Sequence, residues 1–120
     1  MQNSPKDLRK KVLGRKGEEL TCKYLKKRGY KILKRNYRTP FGEADVVAMS
    51  PDGYTCFVEV KTRATDAYGL PAEAVNRDKQ RRYRMMANYW CGAHQEEVPV
   101  RFDVAAILEG EIEYLENAFI

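Results

Sequence analysis

The chain has 120 residues, enough for one domain with its own core but not for two. Its 22 Lys and Arg residues against 17 Asp and Glu leave a net charge of +5, which favours an anionic partner such as nucleic acid over a cationic one. No run approaches the roughly 18 apolar residues of a membrane span, and MQNSPKDLRKK has no apolar stretch after its charges, so a cytoplasmic protein with no membrane partner is expected.

Residues 1–11 read as a flexible basic leader and 12–120 as a single domain. From Leu13 to Arg28 apolar positions recur at steps of three and four, which predicts a helix capped by Gly29. Tyr30 to Tyr37 alternates as a strand, with Ile32 and Leu33 giving one apolar side chain to each face; Thr39, Pro40 and Gly42 then break it. The stretch GEADVVAMSPDGYTCFVEVK reads as a hairpin, with strands near 45–49 and 54–61 around the turn residues Ser50, Pro51, Asp52 and Gly53. Residues 62–75, with Gly69 and Pro71, read as a loop. Asn76 is then a suitable N-cap for a helix running to about Trp90, with Asp78 favourable in its first turn. Val98–Leu108 and Ile112–Phe119 complete the chain as two strands around Glu109 and Gly110. The predicted fold is α/β in the α+β sense: a central mixed five-stranded sheet flanked by helices.

The hairpin carries charge where its strands otherwise look buried. Side chains alternate across a strand, so Phe57, Glu59 and Lys61 share one face, as do Asp45, Val47 and Met49. Asp45 stands opposite Glu59, on the same face, only if the connecting loop has an odd number of residues; pairing the two leaves a five-residue loop, 50–54. Two carboxylates that close repel, and the arrangement calls for a cation between them, either Lys61 or a divalent metal. A cross-strand ion pair would satisfy the same pattern. On the first helix, Glu18 lies four before Cys22 and seven before Leu25, at the edge of the buried stripe, whereas Glu19 lies four before Lys23 in a solvated pair. Glu18 is therefore the candidate third acid.

Basic residues form two groups. The second helix carries Lys79, Gln80, Arg81, Arg82 and Arg84 between Tyr83, Met86, Ala87 and Trp90 at core spacing. That run is either a solvated face or, with Arg63 of the preceding loop, a set of phosphate contacts. Lys34, Arg35 and Arg38 surround Tyr37 in a second patch with the same two readings. Arg101 and Asp103 suit a structural ion pair. His94, the one histidine, falls in the polar stretch GAHQEE with no partners for a triad or a zinc site. Cys22, Cys56 and Cys91 are far apart without C-x-x-C spacing and read as reduced thiols. There is no glycine-rich phosphate loop or serine-nucleophile motif, which argues against nucleotide hydrolysis of the common kinds.

Asp45, thirteen residues, then Glu59-Val60-Lys61, preceded by a helical Glu18, resembles the D…E-x-K core of restriction-endonuclease-like nucleases. The strings GEELTCKYLKKRGY, NYRTPFGEAD, FVEVKTR and VRFDV, in this order, resemble the small bacterial UPF0102 (YraN-like) proteins, a family regarded as endonucleases related to archaeal Holliday junction resolvases; the match runs from Gly14 to Phe119. The resemblance implies a restriction-endonuclease-like fold and metal-dependent hydrolysis of phosphodiester bonds in DNA, including branched or structured DNA. It implies Mg²⁺ or Mn²⁺ held by Asp45, Glu59 and the Val60 backbone carbonyl, with Lys61 assisting the water and Glu18 completing the catalytic cluster. Nucleic-acid contacts would come from Arg38, Arg63, Lys79, Gln80, Arg81 and Arg82; Gln80 follows the E-x-K strand as a substrate-binding glutamine does in some related nucleases. Ala44 stands where many restriction enzymes have proline. Junction resolution would require a two-fold homodimer. The alternative is a module of the same fold that binds nucleic acid without cutting it.

Overall fold

The computed structural model describes the backbone of residues 5–63 and 75–119, with side chains described for residues 15–62 and 75–119. The elements are α1 (Pro5–Lys27), β1 (Lys31–Thr39), β2 (Gly42–Met49), β3 (Thr55–Arg63), α2 (Arg77–His94), β4 (Val100–Leu108) and β5 (Glu111–Leu115). The strands form one mixed sheet in the order β1-β2-β3-β4-β5. Among the described residues only β3 and β4 pair in parallel, and α2 lies in the crossover between them. This is the expected mixed five-stranded sheet with its two helices, and it is compatible with a restriction-endonuclease-like fold.

Each face of the sheet has its own core. Cys22 and Leu25 of α1 cluster with Val46, Ala48, Cys56, Val58 and Ala105 on one side. On the other, Tyr83, Met86, Ala87 and Trp90 of α2 cluster with Ala44, Val47 and Phe57. Alternation along β2 and β3 feeds both, which is why these strands read as nearly continuous apolar runs. Ile32 packs with the first cluster and Leu33 with the second, as their adjacent positions require.

Local chemistry sets most boundaries. Gly29, with Tyr30 N–H bonding to Leu25 O at 3.0 Å and its own N–H to Lys26 O at 3.1 Å, closes α1 in a Schellman arrangement. Asn76 Oδ1 accepts from Lys79 N at 2.9 Å and caps α2. The 50–54 turn is held by Ser50 N–H to Tyr54 O at 2.8 Å and by Tyr54 N–H to Ser50 Oγ at 2.9 Å.

Three expectations need correction. The first helix starts at Pro5, not Leu13, and so takes in residues assigned to the leader: proline suits a first helical turn, and the Leu, Lys and Arg residues after it are good helix formers. The second helix continues past Trp90 to His94, so His94 sits in a last helical turn rather than a loop. There its Nδ1 lies 2.8 Å from Trp90 O, its ring stacks on Trp90 at 4.1 Å, and Gln95 ends the helix in a left-handed conformation. Residues 62 and 63 belong to β3, extended by pairing with Ile107 and Leu108, and residues 64–74 of the expected loop lie outside the described residues. Of the cysteines, Cys22 and Cys56 are buried, Cys91 is partly so, and all are free; burial pushes the Cys56 thiol up to about 12.

Close packing of α1 brings its acidic edge to the sheet. A Cβ on Gly17 would stand 2.2 Å from Thr62 Oγ1 and 3.2 Å from both Val60 Cγ1 and Ile107 Cδ1, so the helix can lie this close to β3 only with glycine at that position. Glu18 is the next residue.

Candidate functional site

The β2–β3 ladder pairs Val46 with Val58, Val47 with Phe57, Ala48 with Cys56 and Met49 with Thr55. This is the register that a five-residue loop demands, and one further step places Asp45 across from Glu59. At that step the carboxylate takes over from the ladder: Asp45 Oδ2 accepts the Val60 N–H at 2.8 Å. The five-residue loop expected from the sequence therefore holds, and it brings the Asp45 carboxylate within electrostatic reach of Glu59.

Glu59 is almost fully buried, at 4% exposure. Both of its oxygens are engaged from α2: Lys79 Nζ lies 2.6 Å from Oε1, and the Tyr83 hydroxyl donates to Oε2. Lys61 Nζ, on the same strand face, is 3.7 Å from Oε1. Lys79 and Tyr83 are four residues apart on α2, the spacing that puts two side chains on one helix face. Burial first, then Glu59 and Asp45, push the Tyr83 phenol well above its ordinary range, so it remains a donor.

Asp45 is less well served. Burial, followed by the Glu59 charge, raises its pKa from 3.8 to about 7, while the Val60 N–H and Lys79 pull the other way. Glu18 acts on the same carboxyl by charge repulsion, which places the third acid within electrostatic reach of the pair. Glu18 is itself half-buried, and burial raises its pKa; Asn36 and Arg35 oppose that shift. Glu19 is exposed, as the helical spacing requires.

Asn36 links two acids. Its backbone is left-handed, with φ of 51°, and its amide nitrogen donates to Glu43 Oε1 at 3.0 Å and to Glu18 Oε1 at 3.2 Å. Glu43 thus joins the cluster through Glu18, and it also pairs with Arg38 at 3.5 Å. Ala44 is buried in the apolar cluster under α2, leaving Asp45 to turn toward the acids.

The expected nucleic-acid residues divide. Lys79 is drawn onto Glu59. Gln80 is buried, and its amide nitrogen donates to Val75 O at 3.1 Å, holding the chain that enters α2. Arg81 and Arg82 are exposed and both pair with Asp78, at 2.9 and 2.8 Å; Arg38 is exposed beside Glu43. The Arg63 side chain lies outside the described residues.

Two participants were not legible as such. Tyr83 reads as core from its spacing, and its ring is core, but a buried phenol needs a partner, which here is Glu59. Asn36, between Arg35 and Tyr37 of a strand, gave no sign of its bridging role.

Among the described residues no three Asp, Glu, His or Cys side chains converge to enclose a metal by themselves. The Asp45–Glu59 pair fits a different kind of site, one in which Mg²⁺ or Mn²⁺ takes one or two carboxylates and completes its sphere with water and a substrate phosphate. The raised Asp45 pKa marks an uncompensated charge that a cation would relieve.

Helices on both faces of a mixed five-stranded sheet make this an α+β domain whose architecture is compatible with the restriction-endonuclease-like class. The chain belongs to the UPF0102 family: residues 17–107 match the model described as "Uncharacterised protein family UPF0102". A UPF0102 protein of Thermodesulfovibrio yellowstonii is 46% identical over 107 residues, covering 89% of this chain and 95% of the relative. One from Desulforamulus reducens is 41% identical over 119 residues, covering 92% and 98%, and one from Clavibacter michiganensis is 48% identical over 101 residues, covering 83% and 85%. No helix among the described residues is long and apolar enough to cross a membrane.

Proposed function

We propose that this protein is a metal-dependent endonuclease that hydrolyses phosphodiester bonds in DNA, with branched or structured DNA as its substrate class. The observation that carries the proposal is the pair of the buried Glu59 and the partly buried Asp45, brought together by the hairpin register although desolvation and mutual repulsion raise the Asp45 pKa to about 7. Folding alone gives no reason to keep such a pair; binding a cation does.

Asp45, Glu59 and the Val60 carbonyl would hold Mg²⁺ or Mn²⁺, which when bound polarises a phosphoryl oxygen and lowers the pKa of a water. Lys61, on the same strand face as Glu59, orients that water or neutralises charge on the phosphorane. Glu18 adds a third carboxyl at the rim. Tyr83 fixes one oxygen of Glu59 from the core. The exposed guanidinium groups of Arg38, Arg81 and Arg82, together with Arg63, supply phosphate contacts. Cutting both strands of a junction would need two copies of the site in a two-fold homodimer.

A binding module that does not cut has one observation in its favour: Lys79 and Lys61 both lie against Glu59 and offset its charge. Cleavage of linear, single-stranded and four-way-junction DNA, with Mg²⁺ or Mn²⁺ against a chelator, separates the two. The wild type is expected to cut only with the ion, and Asp45→Ala and Lys61→Ala to lose activity roughly a thousandfold, about 4 kcal/mol of transition-state stabilisation. Nucleic-acid binding with no cleavage of any substrate would establish the binding module instead, and equal cutting by the variants would expose a contaminant.

A further inference from the structure

We propose that Lys79 is the resident cation of this site: it occupies Glu59 Oε1 while no metal is bound, leaves when one arrives, and then serves a substrate phosphate. The inference rests on the metal site proposed above and adds to it a competitor built into the chain.

Glu59 meets a donor at each oxygen, and the two donors differ in freedom. Tyr83 is fully buried, with its ring packed against Phe119 at 5.3 Å, and its hydroxyl cannot leave Oε2 without disturbing the core. Lys79 reaches Oε1 from the first turn of α2 on a flexible four-carbon stem, and its side chain is about a third exposed, at 35%. Its backbone is fixed by the Asn76 cap, so the stem can swing while the helix end stays in place. A divalent ion approaching Glu59 must therefore take Oε1, where an ammonium 2.6 Å away both blocks the lone pairs and repels it. Displaced from Oε1, the same ammonium would stay near the mouth of the site on its flexible, partly exposed stem and would be available to a substrate phosphate. Tyr83, by contrast, is a positioning residue that keeps Glu59 oriented in both states.

The test is Mn²⁺ affinity, read from the electron paramagnetic resonance of the free ion at pH 8 and low salt. Lys79→Met and Lys79→Gln are expected to bind Mn²⁺ about tenfold more tightly than wild type, Lys26→Met on the exposed side of α1 to stay within about twofold, and Asp45→Asn to lose binding. A second arm measures affinity for a four-way junction with Ca²⁺ and with chelator. Lys79→Met is expected to weaken binding severalfold with Ca²⁺ and to leave it unchanged with chelator, because only the metal frees Lys79 for phosphate. Unchanged or weaker Mn²⁺ binding by both Lys79 variants, with Asp45→Asn still defective, overturns the inference and leaves the nuclease proposal standing. A loss of junction affinity equal in both conditions also overturns it. Absence of any Asp45-dependent Mn²⁺ binding in the wild type overturns both.

Discussion

Two carboxylates on the strands that flank β3, Asp103 of β4 and Asp45 of β2, have opposite fates. Asp103 of β4, fully buried on the α1 side, is saturated with donors: Arg101 Nε at 3.0 Å and Nη2 at 2.9 Å, the Tyr114 hydroxyl at 2.5 Å and the Asn117 N–H at 2.9 Å. Arg101 is in turn held by the Tyr30 hydroxyl, 2.6 Å from its Nη2, and its pKa is driven further up by Asp103 and Tyr30. Asp45 of β2, on the other face, has one backbone donor and two acidic neighbours. The chain uses the same residue types at both places, a carboxylate with a cation and a tyrosine. At Asp103 they complete a network that ties β4 to β5 and the chain after it; at the second place they serve Glu59 and leave Asp45 beside it with acidic neighbours and one backbone donor. Full satisfaction is what a structural acid requires, and the shortfall at Asp45 is what the proposed metal site would use.

Removing the saturated carboxylate should cost most. Asp103→Ala strands Arg101 and the Tyr114 hydroxyl in a buried setting, and a loss of about 3 to 5 kcal/mol is expected in chemical denaturation. A cost below about 1 kcal/mol would show that the network is idle and would break the contrast between the sites.

Asp45→Asn should do the reverse. The folded-state pKa of Asp45 is raised from 3.8 to about 7, so the native state binds its proton more tightly than the unfolded chain does. The stability this group contributes is full below about pH 4 and is lost as pH rises through about 7. Asparagine can keep the Val60 N–H bond without carrying the charge. The variant is therefore expected to match wild type at pH 4 and to exceed it by about 1 to 3 kcal/mol at pH 8, measured without divalent ions. A variant less stable than wild type at pH 8 would mean that Asp45 is a structural acid like Asp103.

Much of this contrast was legible in the chain, because it depends on local rules. The hairpin register followed from strand alternation and a turn rich in Ser, Pro, Asp and Gly, and it fixed the meeting of Asp45 with Glu59. Helical spacing separated Glu18 from Glu19, and the caps at Gly29 and Asn76 stood where composition put them. What could not be read was the placement of one element over another. Whether Lys79 met solvent, phosphate or Glu59 depended on how α2 docks across β3, and no periodicity within α2 records that. Asn36 was hidden for a related reason: its role needs a left-handed backbone within β1 and acids brought to it from α1 and β2. Arg101 and Asp103 were readable as a pair because they lie two apart on one strand face, but Tyr30 and Tyr114 reach them only through the tertiary fold.

The two tyrosines give the finest division. Each hydroxyl donates to a buried carboxylate, and Tyr→Phe removes that donor while keeping the ring in its core. Tyr114→Phe leaves Asp103 with Arg101 and the Asn117 N–H, so a loss of about 1 to 2 kcal/mol of stability is expected with no effect on cleavage beyond it. Tyr83→Phe should cost a similar amount or less in stability, because Glu59 Oε1 keeps Lys79. Its functional effect should be far larger: with Oε2 released, Glu59 loses the contact that fixes its orientation from the core, and cleavage is expected to fall about 10- to 100-fold, as for other partners that orient a metal ligand. Denaturation curves and cleavage rates of the two variants, measured side by side, decide the matter. If Tyr83→Phe cleaves like wild type, or if Tyr114→Phe loses activity out of proportion to its stability, the division between a structural carboxylate and a functional one does not follow the number of donors each receives.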